Sequence, residues 1–589
     1  MRKFLAASLS VVLFAGTFPA PARAAEPATA TPIKHLVVIF GENVSFDHYF
    51  GTYPTALNKS GETPFTAAAG TPMVNDLLTP LDMFSTTFPV ITTPNLLTNN
   101  PNSATGSGAA FNGANAANPF RLYPSQAATA DQNHSAKPEQ TAYHLGLIDQ
   151  FPGSTGAAGP PPSAVSGDNG SELTKGLVMG YFDGNTVTAM WNYAQNFVLF
   201  DNNYTSQFGP SSPGAINLIS GQTNGINVAN TKGLIGSSGT SLSTSTLAPD
   251  GNGGFTQVGD ADPWGDVCSS TTTQVQHTGK NIGDLLNAKN ISWGWFQGGF
   301  DLQTVNPNTS TNCLRSSTPL VTDLSETTND YIPHHEPFQY YASTANPTHA
   351  RPAPGSIVGN TFEADGVTRD PANHQYDTAD FTNALNNGIL PAVSFIKAPG
   401  IGDGHPGYSD PTDEQAFVVN TVNAIMASPF WDSTAIIITY DDSDGWYDHQ
   451  MPPIVNPSTS TFVDTLNGPA SCTFGIQQWR IPHTAPQLTD PTGSYTPQGR
   501  CGYGTRVPML LISPYAQANV VDHSLTDQSS VLAAIEDNWL GGERITGSFD
   551  KLAGSLTHKL NLGTALTPAQ AASRKLILSP TTGALPPTP

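Results

Sequence analysis

The stretch that most constrains this chain of 589 residues runs Thr439-Tyr440-Asp441-Asp442-Ser443-Asp444-Gly445-Trp446-Tyr447-Asp448-His449. It follows Ala435-Ile436-Ile437-Ile438, which has the β-branched character of a buried parallel strand. A buried strand that empties at once into adjacent carboxylates is costly unless those charges are paired or bound to a cation. The carboxyl ends of parallel strands are also where open α/β sheets place their sites. Asp441 and Asp442 therefore read as metal ligands.

A second stretch repeats the design. Ile33 to Phe40 (IKHLVVIF) is a strong strand signal and runs into Gly41-Glu42-Asn43-Val44-Ser45-Phe46-Asp47-His48. Glu42 and Asn43 offer oxygen donors of the kind hard cations take. Further buried strands are expected over 197–200, 291–296, 392–396 and 507–513. Helices are expected over 187–196, 281–289 and 414–428, the last with Phe417, Val418, Val422 and Ile425 on one face. Thr526 is expected to cap a helix whose stripe is Val531, Leu532, Ile535 and Trp539.

Gly209-Pro210-Ser211-Ser212-Pro213-Gly214 sets a tight turn that presents Ser211 just before a helix. Taken alone, Ser211 reads as a turn residue capping that helix. A nucleophile would also gain there, because a helix N-terminus stabilises a phosphoryl group. Histidines punctuate the loops: His134 in Asp131-Gln132-Asn133-His134, His334 and His335 in HHEPF, and His405 in Asp403-Gly404-His405-Pro406. His334 and His335 are adjacent, so one is expected to serve a site and the other the fold.

Charged residues make up only 12%, against 55 glycines and 50 prolines. That balance favours long, turn-rich, uncharged loops over helical bundles. Insertions are expected near 64–119 and 227–260. Arg2 and Lys3, the apolar run Phe4 to Gly16 and Ala22-Arg23-Ala24 mark residues 1–24 as a signal peptide. The run is too short to span a bilayer and no other stretch qualifies, so the mature protein is expected to be soluble and periplasmic or secreted. Cleavage removes Arg2, Lys3 and Arg23 and no acid, taking the formal charge from −22 to −25. Such a balance argues against a nucleic-acid partner and against docking on anionic membranes. Four cysteines permit three pairings; Cys268–Cys313 and Cys472–Cys501 each close a local loop. One domain is expected over 25–560, with a C-terminal extension over 561–589.

Taken together, these motifs resemble a known family. Glu42-Asn43-Val44-Ser45-Phe46-Asp47-His48-Tyr49-Phe50-Gly51 looks like the opening signature of the bacterial phospholipase C/acid phosphatase superfamily. Gly180-Tyr181-Phe182-Asp183, Gly209-Pro210-Ser211, His334-His335-Glu336-Pro337-Phe338, Tyr440-Asp441-Asp442 and Arg506-Val507-Pro508 follow in the family's order. The resemblance spans about Lys34 to Leu540. It implies an α/β, alkaline-phosphatase-like three-layer sandwich with a mostly parallel central sheet. The phospholipase branch has G-P-T-x-P-N-R at the nucleophile turn; this chain departs from it at Ser211-Ser212-Pro213-Gly214 and resembles the acid phosphatase branch.

What the resemblance implies is phosphate-monoester hydrolysis at acid pH. Glu42, Asn43, Asp441 and Asp442 would hold one divalent cation (Ca, Mg, Mn or Zn), with Ser211 as both ligand and nucleophile, through a phosphoserine. Three carboxylates around one divalent ion leave the site about one unit negative before substrate binds. Few Lys or Arg lie near the motifs, so His134, His334, His335 and His405 are expected to bind phosphate as imidazolium groups, with His405 or His335 protonating the leaving oxygen. The substrates would be small phosphate esters. The alternative is a phospholipase C acting on phosphatidylcholine-type lipids and their head groups; another is a non-catalytic phosphate- or metal-binding surface protein.

Overall fold

The structure is a computed structural model that describes residues 28–81, 95–159, 170–230, 233–234, 246–270, 274–321, 328–473 and 497–586. The expected signal peptide (1–24), part of the 227–260 insertion and Pro587-Thr588-Pro589 lie outside the described residues.

Strongly apolar segments build one eight-stranded sheet. Its strands are β1 His35–Gly41, β2 Val198–Phe200, β3 Trp293–Gln297, β4 Gln375–Tyr376, β5 Val393–Lys397, β6 Thr434–Tyr440, β7 Met509–Ile512 and β8 Val520–Asp522. The order is β4-β3-β5-β1-β6-β7-β2-β8. β1 lies parallel to both β5 and β6, while β7 runs antiparallel to β6 and β2. Every residue of β1 and β6 is buried, as near-continuous apolar strands covered on both faces require.

Five helices position the site: α1 Phe46–Phe50, α2 Ala136–Tyr143, α3 Ser211–Ser220, α4 Pro411–Ala427 and α5 Ser529–Trp539. Leu36, Ala435, Ile437 and Leu511 meet Ala534 and Trp539 of α5 on one face of the sheet. Ile39 and Ile438 meet Phe417 and Val418 of α4 on the other. The fold is α/β, with a mostly parallel sheet between helical layers. α4 begins earlier than its apolar stripe suggests. The Asp410 carboxylate accepts from the Thr412 and Asp413 N–H groups, and Pro411 takes the first helical position. Thr526 does not cap α5. It pairs in a short strand with Asn203, and Gln528 holds the cap position. The Asp527 carboxylate accepts from the Ser529 N–H instead.

The register carries the two acidic stretches out of the sheet side by side. Gly41 pairs with Tyr440, so Glu42 and Asp441 leave adjacent strand ends together. Arg506 then ties the two loops. Its Nη2 lies 3.0 Å from Asp47 Oδ1 and 3.1 Å from Asp448 Oδ2. Its Nη1 donates to the carbonyls of Asn75 and Asp201 at 2.9 and 2.8 Å, and its guanidinium stacks over Phe46. His449 joins them, with Nδ1 2.7 Å from Asp47 Oδ2 and Nε2 2.9 Å from Asn75 Oδ1. His449 thus supports the loop, and Asn75 brings the 64–119 insertion into the same network.

Cys268–Cys313 and Cys472–Cys501 are both bonded, each closing a local loop. The C-terminal extension packs on the core: Leu576 and Leu578 are buried, and Trp431 Nε1 donates to the Ala571 carbonyl.

Arg506 is fully buried, so removing it strands two buried carboxylates. Arg506→Met is expected to lower unfolding free energy by about 3–5 kcal/mol, read from the urea midpoint of the intact chain; a loss of under about 1 kcal/mol would show that the guanidinium does not lock the loops.

Candidate active site

Ser211 sits at the first helical position of α3, and Pro210, not Ser211, holds the N-cap position with no side-chain capping bond. The hydroxyl is therefore free of the capping role that the local pattern alone suggests. It faces Glu42 Oε2 at 3.0 Å, Asp442 Oδ2 at 3.1 Å and Asn43 Oδ1 at 3.4 Å. One hydroxyl proton satisfies one of those three oxygens. All four side chains are buried, and a buried all-oxygen set carrying two carboxylates suits a hard divalent cation.

Local geometry explains the convergence. Asn43 has φ 61°, a left-handed conformation that asparagine tolerates better than most residues. There its N–H donates to Asp441 Oδ1 at 3.0 Å and its Nδ2 to Asp444 Oδ1 at 3.0 Å. Gly214 lets α3 press on the acidic loop, since a Cβ there would lie 2.1 Å from the Asp441 carbonyl oxygen. Glu139 of α2 clamps the serine turn, accepting from the Gly209 N–H at 2.9 Å and from Ser443 Oγ at 2.7 Å. Asp441 stands apart from the other expected ligands. Its carboxylate accepts from the Asn43 and Asp442 N–H groups and lies 3.4 Å from Lys397 Nζ rather than on Ser211.

The four expected histidines form two pairs. His335 Nδ1 is 3.1 Å from Glu42 Oε1 and 3.8 Å from Asp403 Oδ2, and its ring meets that of His334 edge-on at 4.6 Å. His334 Nδ1 is 3.4 Å from Asp262 Oδ1. His134 Nδ1 is 3.1 Å from Asp444 Oδ1, and its ring lies 5.9 Å from that of His405. His405 Nδ1 lies 2.6 Å from the Pro406 carbonyl oxygen, and its ring stacks on Tyr408.

The expectation of four imidazolium groups divides. Burial pushes His405 down to about 4. Burial, with His334 and Lys397 nearby, also pushes His335 well below the usual imidazole range. Burial opposes charge on His134 too, but Asp442, Asp444 and Asp131 outweigh it and hold its ring well above that range. His334 is likewise raised against burial, by Asp262 and Asp260. Burial also drives the Glu42 and Asp442 carboxyls well above their usual range. Burial opposes ionisation of Asp441 as well, but Lys397 and hydrogen bonds from the Asn43 and Asp442 N–H groups keep its carboxyl low.

The expectation that few cations lie near the motifs fails at Lys397. This fully buried lysine ends β5 and places its ammonium against Glu42 Oε1. Burial works against its charge, but Asp441, Glu42 and Asp403 more than restore it. The signal was its place as the last residue of a buried strand beside the one that delivers Glu42. Asp444, Asp403, Glu139 and Asp262 are also residues that the motif reading did not assign.

The profile of the phosphoesterase family matches residues 33–540, and the chain belongs to that family. It is 27% identical over 194 residues to Phospholipase C B of Mycobacterium tuberculosis (strain ATCC 25618 / H37Rv), covering 32% of this chain and 33% of that protein. It is 33% identical over 154 residues to the Non-hemolytic phospholipase C of Burkholderia pseudomallei (strain K96243), covering 26% of this chain and 19% of that one. The matched segments thus span a third or less of either relative. Among solved structures it is similar to the phosphonate monoester hydrolase SpPMH from Silicibacter pomeroyi, at 13% identity and a TM-score of 0.25, over 65% of this chain and 73% of that chain.

Asp442→Asn removes one charged oxygen from the set around Ser211. It is expected to weaken divalent-ion affinity at least about tenfold, read by equilibrium dialysis with manganese(II). Unchanged affinity would remove Asp442 from the ligand set.

Proposed function

We propose that this chain is an exported, metal-dependent phosphoesterase that hydrolyses phosphate monoesters in the acid range through a phosphoserine on Ser211. The observation that carries the reading is the uncapped Ser211 hydroxyl held against Glu42, Asn43 and Asp442. The two disulfides fit an oxidising compartment. Among the described residues no helix is long and apolar enough to cross a membrane.

A divalent cation on Glu42, Asn43, Asp442 and Ser211, with Asp441 supporting it from behind, would lower the hydroxyl pKa and offset charge on the transferring group. The protein's own groups do the rest. Ser211 stands at the N-terminus of α3, whose dipole favours negative charge on a phosphoryl group there. His134 and His334 bring positive charge to the phosphate. His134, charged below its raised value, offers its proton to the leaving oxygen, while the single N–H of the neutral His405 and His335 rings faces the Pro406 carbonyl and the Glu42 carboxylate. Water then hydrolyses the phosphoserine, and the same imidazole recovers the proton.

A second reading is phospholipase C activity, favoured by the names of the aligned relatives. The two readings separate on p-nitrophenyl phosphate beside p-nitrophenyl phosphorylcholine. The monoester is expected to be turned over faster; preference for the choline ester would place the second reading first.

Ser211→Ala is expected to abolish turnover of p-nitrophenyl phosphate with no loss of fold. Activity within about tenfold of wild type would remove Ser211 as nucleophile.

The charge on His134 and His334 is present below their raised values and lost as pH rises through them. Monoesterase activity should therefore decline on the alkaline side only as pH passes those raised values, beyond the ordinary imidazole value of roughly 6.5. It should also decline on the acid side, as the ligand carboxylates take up protons and release the ion. His134→Gln and His334→Gln should each flatten the alkaline limb. A wild-type profile that keeps rising through about pH 8.5 would contradict the acid-range assignment.

A further inference from the structure

We propose that Lys397 is a built-in second cation, so that the site takes one divalent ion where its donor groups would otherwise accept two. The inference rests on the metal-dependent reading above and adds why a second ion is excluded.

Glu42 uses its two oxygens in opposite directions. Oε2 faces Ser211 at 3.0 Å. Oε1 faces His335 Nδ1 at 3.1 Å. Around Oε1, Glu42, His335 and Asp403 each bring one ligand atom within 4.8 Å of the others, and all three residues are buried. Two carboxylates and an imidazole form a donor set for a divalent ion of the manganese or zinc kind. An ion there would share the Glu42 carboxylate with the ion at Ser211. The pieces of a two-ion site are therefore present.

Lys397 stands in the way. Its ammonium lies against the same Glu42 Oε1. It is also 3.4 Å from Asp441 Oδ2 and 3.3 Å from the Gly41 carbonyl oxygen, so each of its three N–H donors has an acceptor. The strand end fixes its place. Ile396 pairs with Ile39, which sets Lys397 beside Phe40, two residues before Glu42. The side chain is fully buried, and the ammonium also lies over the Phe40 ring. An ion on Glu42 Oε1 would have to displace a buried, fully paired ammonium.

The charges agree with one ion. Glu42, Asp441 and Asp442 carry three negative charges when ionised. One divalent ion and one ammonium cancel them, leaving the histidines to attract phosphate. A lysine is a compact point charge suited to this substitution. Its removal leaves buried carboxylates unpaired, and a second divalent ion can then occupy the vacated side of Glu42.

The test is ion stoichiometry, read by elemental analysis after equilibrium dialysis of the full chain against manganese(II). Wild type is expected to hold one ion per chain, Lys397→Met two, and Lys397→Met with Asp403→Asn one again. Wild type holding two ions overturns the proposal, and so does a folded Lys397→Met that stays at one. Should Lys397→Met not fold, the electron spin resonance of the saturated wild type decides. An isolated-ion spectrum supports the proposal, and an exchange-coupled pair overturns it. A wild type that binds no ion at all sinks the metal-dependent reading itself, which separates the two failures.

Discussion

The structure depends on how it manages negative charge at the carboxyl ends of two adjacent buried strands. Gly41 and Tyr440 are paired in register, so Glu42, Asp441 and Asp442, all buried, leave the sheet at one place. Buried carboxylates need partners, and the surrounding architecture supplies them. Lys397 arrives from the strand on the other side of β1. Backbone N–H groups of Asn43 and Asp442 turn onto Asp441. Arg506 pairs with Asp47 and Asp448 one step further out, and His449 hydrogen-bonds with Asp47. What remains unbalanced is the group of oxygens around Ser211.

That imbalance connects fold to chemistry. A site whose acids were all paired would be an inert ion network. Here the pairing stops at the side of Glu42 that faces Lys397, and the side that faces Ser211 keeps oxygen donors in excess. The histidines show the same division. His134 and His334 each sit beside carboxylates that hold their charge, whereas burial keeps His335 and His405 neutral. Positive charge thus lies on two of the four imidazoles and on one buried lysine.

Much of this was legible in the sequence because the local signals agreed with the global fold. IKHLVVIF and AIII read as buried strands, and the carboxylates following each read as ligands gathered where those strands end. Gly209 to Gly214 marked a tight turn, and Gly214 proved to be where α3 touches the acidic loop. The boundary errors have local causes. Thr526 was taken up by strand pairing and left the start of α5 to its neighbours, and Asp410 with Pro411 lengthened α4 beyond its apolar stripe. Lys397 was the costliest omission. A lysine ending an apolar run reads as a solvated strand terminus, and only the pairing of β5 with β1, between residues far apart in the chain, turns it into the centre of the site. The charge division among the histidines was hidden for the same reason, since it depends on which acid each ring meets.

The central claim is that Ser211 is the atom donor that attacks phosphorus. The most direct test quenches the wild-type enzyme with acid during turnover of p-nitrophenyl phosphate and maps phosphorylated peptides by mass spectrometry. The account predicts a phosphoryl group on Ser211, absent without substrate and lost when turnover is allowed to finish. Steady turnover with no phosphoserine, or with the group on Ser212 instead, would contradict it.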